Sequence, residues 1–100
     1  MAADCLKISW PELKSRLFAP DPMVVIDVRN VDEYRSGHIE GSRLIPLDEL
    51  PFRVDQIDRD RDVVVVCRSG NRSAQACELL RERGFARIRS LDGGLSSWTA

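Results

Sequence analysis

The sequence predicts an α/β domain with a central, mainly parallel sheet flanked by helices on both faces. Two observations carry this prediction. Met23 to Val28 and Val63 to Val66 are β-branched and apolar on both faces, as strands covered from above and below must be. Short helical patterns separate the strand patterns, which gives parallel strands joined by right-handed crossovers.

The elements follow in order. Cys5-Leu6-Lys7-Ile8 alternates as a peripheral strand would. Ser9-Trp10-Pro11-Glu12 has the pattern of a capping box with proline in the first turn. Leu13, Leu17 and Phe18 then recur at helical spacing, giving a helix to about Ala19. Pro20-Asp21-Pro22 is a turn, and Met23 to Val28 is the first central strand. Asn30 caps a brief helix through Arg35, which Gly37 ends as a left-handed residue. Ser42 to Ile45 is a short strand, and Leu47 to Ile57 one or two short helices interrupted at Pro51. Asp58 to Asp62 alternates charge sign and reads as a solvated turn. Val63 to Val66 is the second central strand. A helix from Ser73 to Arg83 follows, with Ala76, Cys77, Leu79 and Leu80 inward and Gly84 at its C-cap. Ala86 to Ser90 is a further strand. After the Gly93-Gly94 turn, Leu95 and Trp98 share one face of a terminal helix.

Composition narrows the function classes. With 100 residues, 43% of them hydrophobic and 31% charged, and a net charge of −1, the chain reads as one soluble domain over residues 1–100. Nucleic acid is not an expected partner. The apolar stretch Val63 to Cys67 is far short of the roughly 20 residues of a spanning helix, so no membrane is implied. The N-terminus lacks the pattern of a secretory signal, and the expected location is cytoplasmic. The three cysteines, Cys5, Cys67 and Cys77, are an odd set without zinc-ligand spacing. That argues against a disulfide framework and against a metal site. Cys5 and Cys77 read as apolar packing.

Cys67 is different. The segment Cys67-Arg68-Ser69-Gly70-Asn71-Arg72-Ser73 follows a buried strand and opens a helix. Such a turn points several backbone N–H groups at one place, where the helix dipole adds positive charge. Helix N-termini and nearby cations lower a thiol pKa from about 8.5 to roughly 3.5–7.5. In parallel α/β sheets ligands bind at the carboxyl ends of strands, where both Cys67 and the Asp27-Val28-Arg29 segment lie.

Four ordered blocks resemble the rhodanese domain family of sulfurtransferases. They are Asp27-Val28-Arg29 with Glu33-Tyr34; Gly37-His38-Ile39 with Gly41-Ser42 and Ile45-Pro46; the loop Cys67 to Ser73; and Leu91-Asp92-Gly93-Gly94 with Trp98. The resemblance implies a rhodanese-like fold in which Cys67 is the nucleophile and carries a sulfane sulfur as a persulfide. It further implies that the backbone amides of Arg68, Ser69, Gly70, Asn71, Arg72 and Ser73 cradle the outer sulfur. Arg68 and Arg72 would orient a small anionic donor such as thiosulfate. The acceptor would be cyanide, a thiol or a sulfur-carrier protein, and no metal or organic cofactor is implied.

Two rivals are weaker. Phosphatase or arsenate reductase chemistry also uses a thiolate in an arginine-ended loop. Cys67 to Arg72 encloses four residues where such phosphatases enclose five, and the smaller ring suits a sulfur atom better than a phosphate. A non-catalytic binding or regulatory module is the other rival, and retention of Cys67 with both arginines favours an enzyme. Asp27 and Arg29 read as supporting residues that fix neighbouring loops. His38 reads as a structural hydrogen bonder, and Glu33 and Tyr34 as scaffold.

Overall fold

The computed structural model describes residues 5–97. Met1 to Asp4 and the predicted partner of Leu95, Trp98, lie outside the described residues. The strands are β1 (Lys7–Ile8), β2 (Val24–Asp27), β3 (Arg43–Leu44), β4 (Val63–Val66) and β5 (Ile88–Leu91). The helices are α1 (Trp10–Leu17), α2 (Val31–Ser36), α3 (Leu50–Arg53) and α4 (Asn71–Glu82). Short 3-10 helices occupy Val54–Gln56 and Gly94–Ser97. The strands form a single sheet in the order β1-β5-β4-β2-β3, and every pairing is parallel. Among the described residues no helix is long and apolar enough to cross a membrane.

The four valines of β4 show why this strand needs apolar side chains on both sides. Successive side chains of a strand point to opposite faces. Val63 and Val65 pack with Ile26, Leu50, Val54, Ala76, Leu80 and Phe85, beneath α3 and α4. Val64 and Val66 pack with Leu13, Met23, Val25, Ile39, Leu91 and Leu95, beneath α1. All four valines are completely buried.

Several expectations shift by a residue or two. Ser9 caps α1, its hydroxyl accepting from the Glu12 amide, and Asn30 and Glu33 form the full capping box of α2. Gly37 ends α2 with φ 152° and ψ 136°, a positive-φ conformation that favours glycine but lies well away from the left-handed helical one expected. Pro51 does not interrupt a helix. It sits in the first turn of α3, where its missing N–H has no role, and the chain tightens into the 3-10 turn only afterwards. Helix α4 begins at Asn71 because Gly70 turns the chain first, and Ala74 closes the opening turn onto the Gly70 carbonyl at 3.0 Å. Strand β5 starts at Ile88 because Phe85 plugs the core beneath α4, while Ala86 and Arg87 stay exposed. The charged turn is not merely solvated. Arg16 and Arg87 both reach Asp62, at 2.9 Å each, and Arg59 lies over the Phe85 ring at 4.9 Å.

The cysteine expectation is corrected more deeply. Cys5 and Cys77 are joined as a disulfide, with Cα atoms 6.1 Å apart across 72 residues of sequence. Count and local spacing carry no information about a pair so distant, which only the packing of the β1 flank against α4 brings together. A disulfide typically stabilises a chain by about 2–4 kcal/mol, and more as the loop it closes lengthens.

The segment after β5 clamps the turn between β4 and α4. Leu95 donates its N–H to the Cys67 carbonyl at 2.7 Å, and Ser96 to the Arg68 carbonyl at 2.9 Å. Gly94 permits this approach. Its φ is 64°, and a Cβ there would lie 2.6 Å from the Arg68 carbonyl oxygen and 2.7 Å from that of Cys67.

Two outcomes are expected. Thiol titration of the air-oxidised, denatured protein should find the single free thiol of Cys67, rising to three after reduction, and three before reduction would contradict the disulfide. Gly94→Ala should lower unfolding free energy by about 2–4 kcal/mol in denaturant titrations, from strain and from displacement of the clamp. A loss below about 0.5 kcal/mol, the range of an ordinary surface change, would refute the close approach.

Candidate active site

Cys67 stands one residue past β4, where α4 is about to begin. Its Sγ accepts from the Gly70 amide at 3.0 Å and the Ser73 amide at 3.3 Å, and lies 3.4 Å from Ser73 Oγ. Gly70 makes this convergence happen. At φ 104° it occupies the left-handed region, so the chain doubles back and aims its own N–H and the first turn of α4 at the sulfur. Among the described residues the amides of Asn71 and Arg72 have no backbone acceptor, as expected at the start of a helix.

The surroundings of the sulfur ease its ionisation. Burial pushes the Cys67 thiol up and is the largest single influence. The Ser73 hydroxyl and the amides of Ser73, Gly70 and Ser69 together outweigh it, and the thiol is held below its ordinary value. The Ser73 hydroxyl can serve both ionisation states. With a thiol it accepts from S–H while donating to the Gly70 carbonyl, 3.1 Å away. With a thiolate the same proton turns to the sulfur.

The remaining loop residues divide. Arg68 and Ser69 are exposed at the rim, and the Arg68 side chain has no partner among the described residues. Asn71 is exposed and Ser73 fully buried. Arg72 is half-buried and turned to α2, where its guanidinium grips the Glu33 carboxylate at 2.6 and 2.9 Å. Cys67 exposes no surface, so its sulfur lies beneath the rim.

The end of β2 converges on the same edge, because Asp27 pairs with Val66 and the Val28 amide donates to the Val66 carbonyl at 3.0 Å. Asp27 is fully buried and takes the Arg29 guanidinium at 2.7 Å and the Arg29 amide at 3.0 Å. Arg29 also donates to the Gly37 carbonyl at 2.8 Å, tying β2 to the end of α2. This is the loop-fixing arrangement that the Asp-x-Arg pair suggests. The His38 ring stacks on Tyr34 with centroids 3.7 Å apart, and its Nδ1 lies 2.8 Å from the Tyr34 carbonyl, which can only accept. His38 is therefore engaged in structure.

Three contributors escape a reading of the sequence. Glu33 is more than scaffold, since it holds Arg72 from 39 residues away. Ser73 contributes a hydroxyl as well as an amide. Gly94 positions the loop through the carbonyls of Cys67 and Arg68. The signal for Glu33 was its place in the capping box, which puts a carboxylate on the first turn of α2.

Comparison with known proteins shows the family to which the chain belongs. The rhodanese-like domain matches residues 9–100. A sulfurtransferase of Allochromatium vinosum is 37% identical over 92 residues, covering 92% of this chain and 86% of the relative. The thiosulfate sulfurtransferase GlpE of Shewanella oneidensis is 39% identical over 74 residues, 74% of this chain and 73% of the relative. A rhodanese-like domain protein from Staphylococcus aureus superposes with a TM-score of 0.89 at 31% identity, covering 94% of this chain and 91% of that one. With its parallel sheet, its cysteine loop at a strand's carboxyl end and these relatives, the chain belongs to the rhodanese-like domain family, among sulfurtransferases.

Proposed function

We propose that the protein is a sulfurtransferase that carries a sulfane sulfur on Cys67 as a persulfide, loaded from thiosulfate or a persulfide donor and unloaded to cyanide or a thiol. The observation that carries this reading is the convergence of the Gly70 and Ser73 amides on Cys67 Sγ. A sulfur so held is ionised at lower pH, and the thiolate is the attacking species.

In the first half-reaction the thiolate attacks the outer sulfur of the donor. A new S–S bond forms, the donor's bond to that sulfur breaks, and the electron pair departs on sulfite or on the donor thiolate. Neither side needs a proton from the protein, so the engagement of His38 and Asp27 elsewhere is no obstacle. The persulfide's outer sulfur extends toward the amides of Asn71 and Arg72, the donors left open in the loop. In the second half-reaction an acceptor thiol, cyanide or a sulfur-carrier protein attacks that outer sulfur and restores the thiolate. Cys67 itself is fully covered, while Arg68 and Ser69 beside it in the loop are exposed.

That cover is the one observation favouring a binding module without catalysis. A single measurement separates the readings. Intact-mass analysis after thiosulfate treatment should show one added sulfur that maps to Cys67 and is removed by cyanide, with Cys67→Ser gaining none. An unchanged mass for the wild-type protein both after thiosulfate and after an organic persulfide would favour the binding module.

The role of the Ser73 hydroxyl gives a pH prediction. The lowered thiol pKa means that kcat/KM rises as pH climbs through the Cys67 titration and then levels. Ser73→Ala removes a donor to the sulfur, so this rise should move to higher pH while the plateau survives within about tenfold, the effect of losing one hydrogen bond. A rise at the same pH in both proteins would remove the hydroxyl from the account.

A further inference from the structure

The two arginines of the loop suggest a site built to draw in a dianion, but the structure leaves only one of them uncompensated. The Arg72 fork is closed on Glu33 in a bidentate pair, one of the stronger arrangements open to these groups. Glu33 is itself fixed: its carboxylate accepts from the Asn30 amide at 3.3 Å, and its own amide donates to Asn30 Oδ1 at 2.9 Å. Arg29, the other cation at this edge, is consumed by buried Asp27 and the Gly37 carbonyl. Among the described residues the Arg68 side chain at the rim has no partner. Arg72 lines a cleft of about 290 Å³ with Val28, Pro46 and Leu47 and with the polar Arg29, Asn30 and Asp48. A small inorganic dianion would meet there a paired cation, apolar walls and a carboxylate.

We infer that Glu33 sets donor specificity: by neutralising Arg72 it disfavours dianionic donors, and it leaves the adjoining apolar cleft to the organic group of a low-charge persulfide. This rests on the persulfide reading above and names the donor class for the same site. Glu33 acts through Arg72 and is thus a positioning residue.

Two small donors isolate charge from shape. Thiosulfate is a dianion that transfers its outer sulfur and leaves as sulfite dianion. Methanethiosulfonate is a monoanion that transfers the same sulfur and leaves as methanesulfinate monoanion. In each case the Cys67 thiolate forms the new S–S bond, the donor's S–S bond breaks with its electron pair on the leaving group, and no proton moves. The quantity to compare is kcat/KM for thiosulfate divided by kcat/KM for methanethiosulfonate, with cyanide as acceptor at low ionic strength.

Glu33→Gln keeps the capping box, which accepts glutamine as readily as glutamate, but releases the charge of Arg72. The ratio should rise about threefold, the effect of one further unit of donor charge several ångströms from a newly uncompensated cation in a watery site. Arg72→Gln leaves Glu33 unbalanced and should lower the ratio by a similar factor, so the test survives if either variant fails to fold. The double variant restores neutrality and should return the ratio to that of the wild type. A purely structural role would move both donors together. Ratios unchanged in the single variants, or shifted in the same direction by both, would overturn the inference while leaving the persulfide reading intact. Absence of sulfur on wild-type Cys67 with both donors would remove both.

Discussion

Everything at this site depends on one turn of backbone. Between β4 and α4 the chain must reverse within a few residues, and the left-handed Gly70 lets it do so with several N–H groups facing one sulfur. Amides are fixed dipoles that need no counterion and no titration, so the environment they create is set by folding alone. The price is that burial raises the thiol's pKa, and the amides with the Ser73 hydroxyl must overcome that effect before any stabilisation of the thiolate remains. A turn so constrained needs holding from outside. The Leu95 and Ser96 amides supply this, gripping the carbonyls of Cys67 and Arg68.

The charged groups around the turn are organised for architecture before chemistry. Asp27 and Arg29 form a buried pair that fastens the end of β2 to the end of α2. Removing one member of such a pair strands a charge in the interior, which is far costlier than the pair's own net worth. Glu33 and Arg72 then fasten α2 to the first turn of α4, and the side-chain hydrogen bond from Arg72 holds the Glu33 carboxyl down at about 2. The pair therefore persists across the whole neutral range. The sulfur is stabilised by the Ser73 hydroxyl and the loop amides, with Arg68 as an uncompensated side chain at the rim among the described residues.

What was legible in the sequence was local. The apolar strands β2 and β4, the capped starts of α1 and α2, and the cysteine at a strand-to-helix turn all follow from neighbours within a few residues. The convergence of Asp27 and Cys67 was legible too, because parallel strands share their carboxyl edge. Contacts that join distant segments were not legible. Glu33 meets Arg72 across 39 residues, Cys5 meets Cys77 across 72, and Gly94 lies against the carbonyls of Cys67 and Arg68. Residue type alone could not reveal these pairings. Charge on Arg72 reads as availability for an anion until its partner is seen, and two cysteines read as packing until the sheet edge is laid against α4.

Folding, through the Ser73 hydroxyl and these amides, lowers the pKa of the Cys67 thiol below that of a free cysteine. Ultraviolet absorbance of the thiolate, titrated with pH in the wild-type protein and corrected by Cys67→Ser, reports that ionisation without any substrate. The account predicts a single transition for Cys67 clearly below that of a free cysteine under the same conditions, moving upward when the protein is unfolded in denaturant. A transition at or above the free-cysteine value in the folded protein would contradict it.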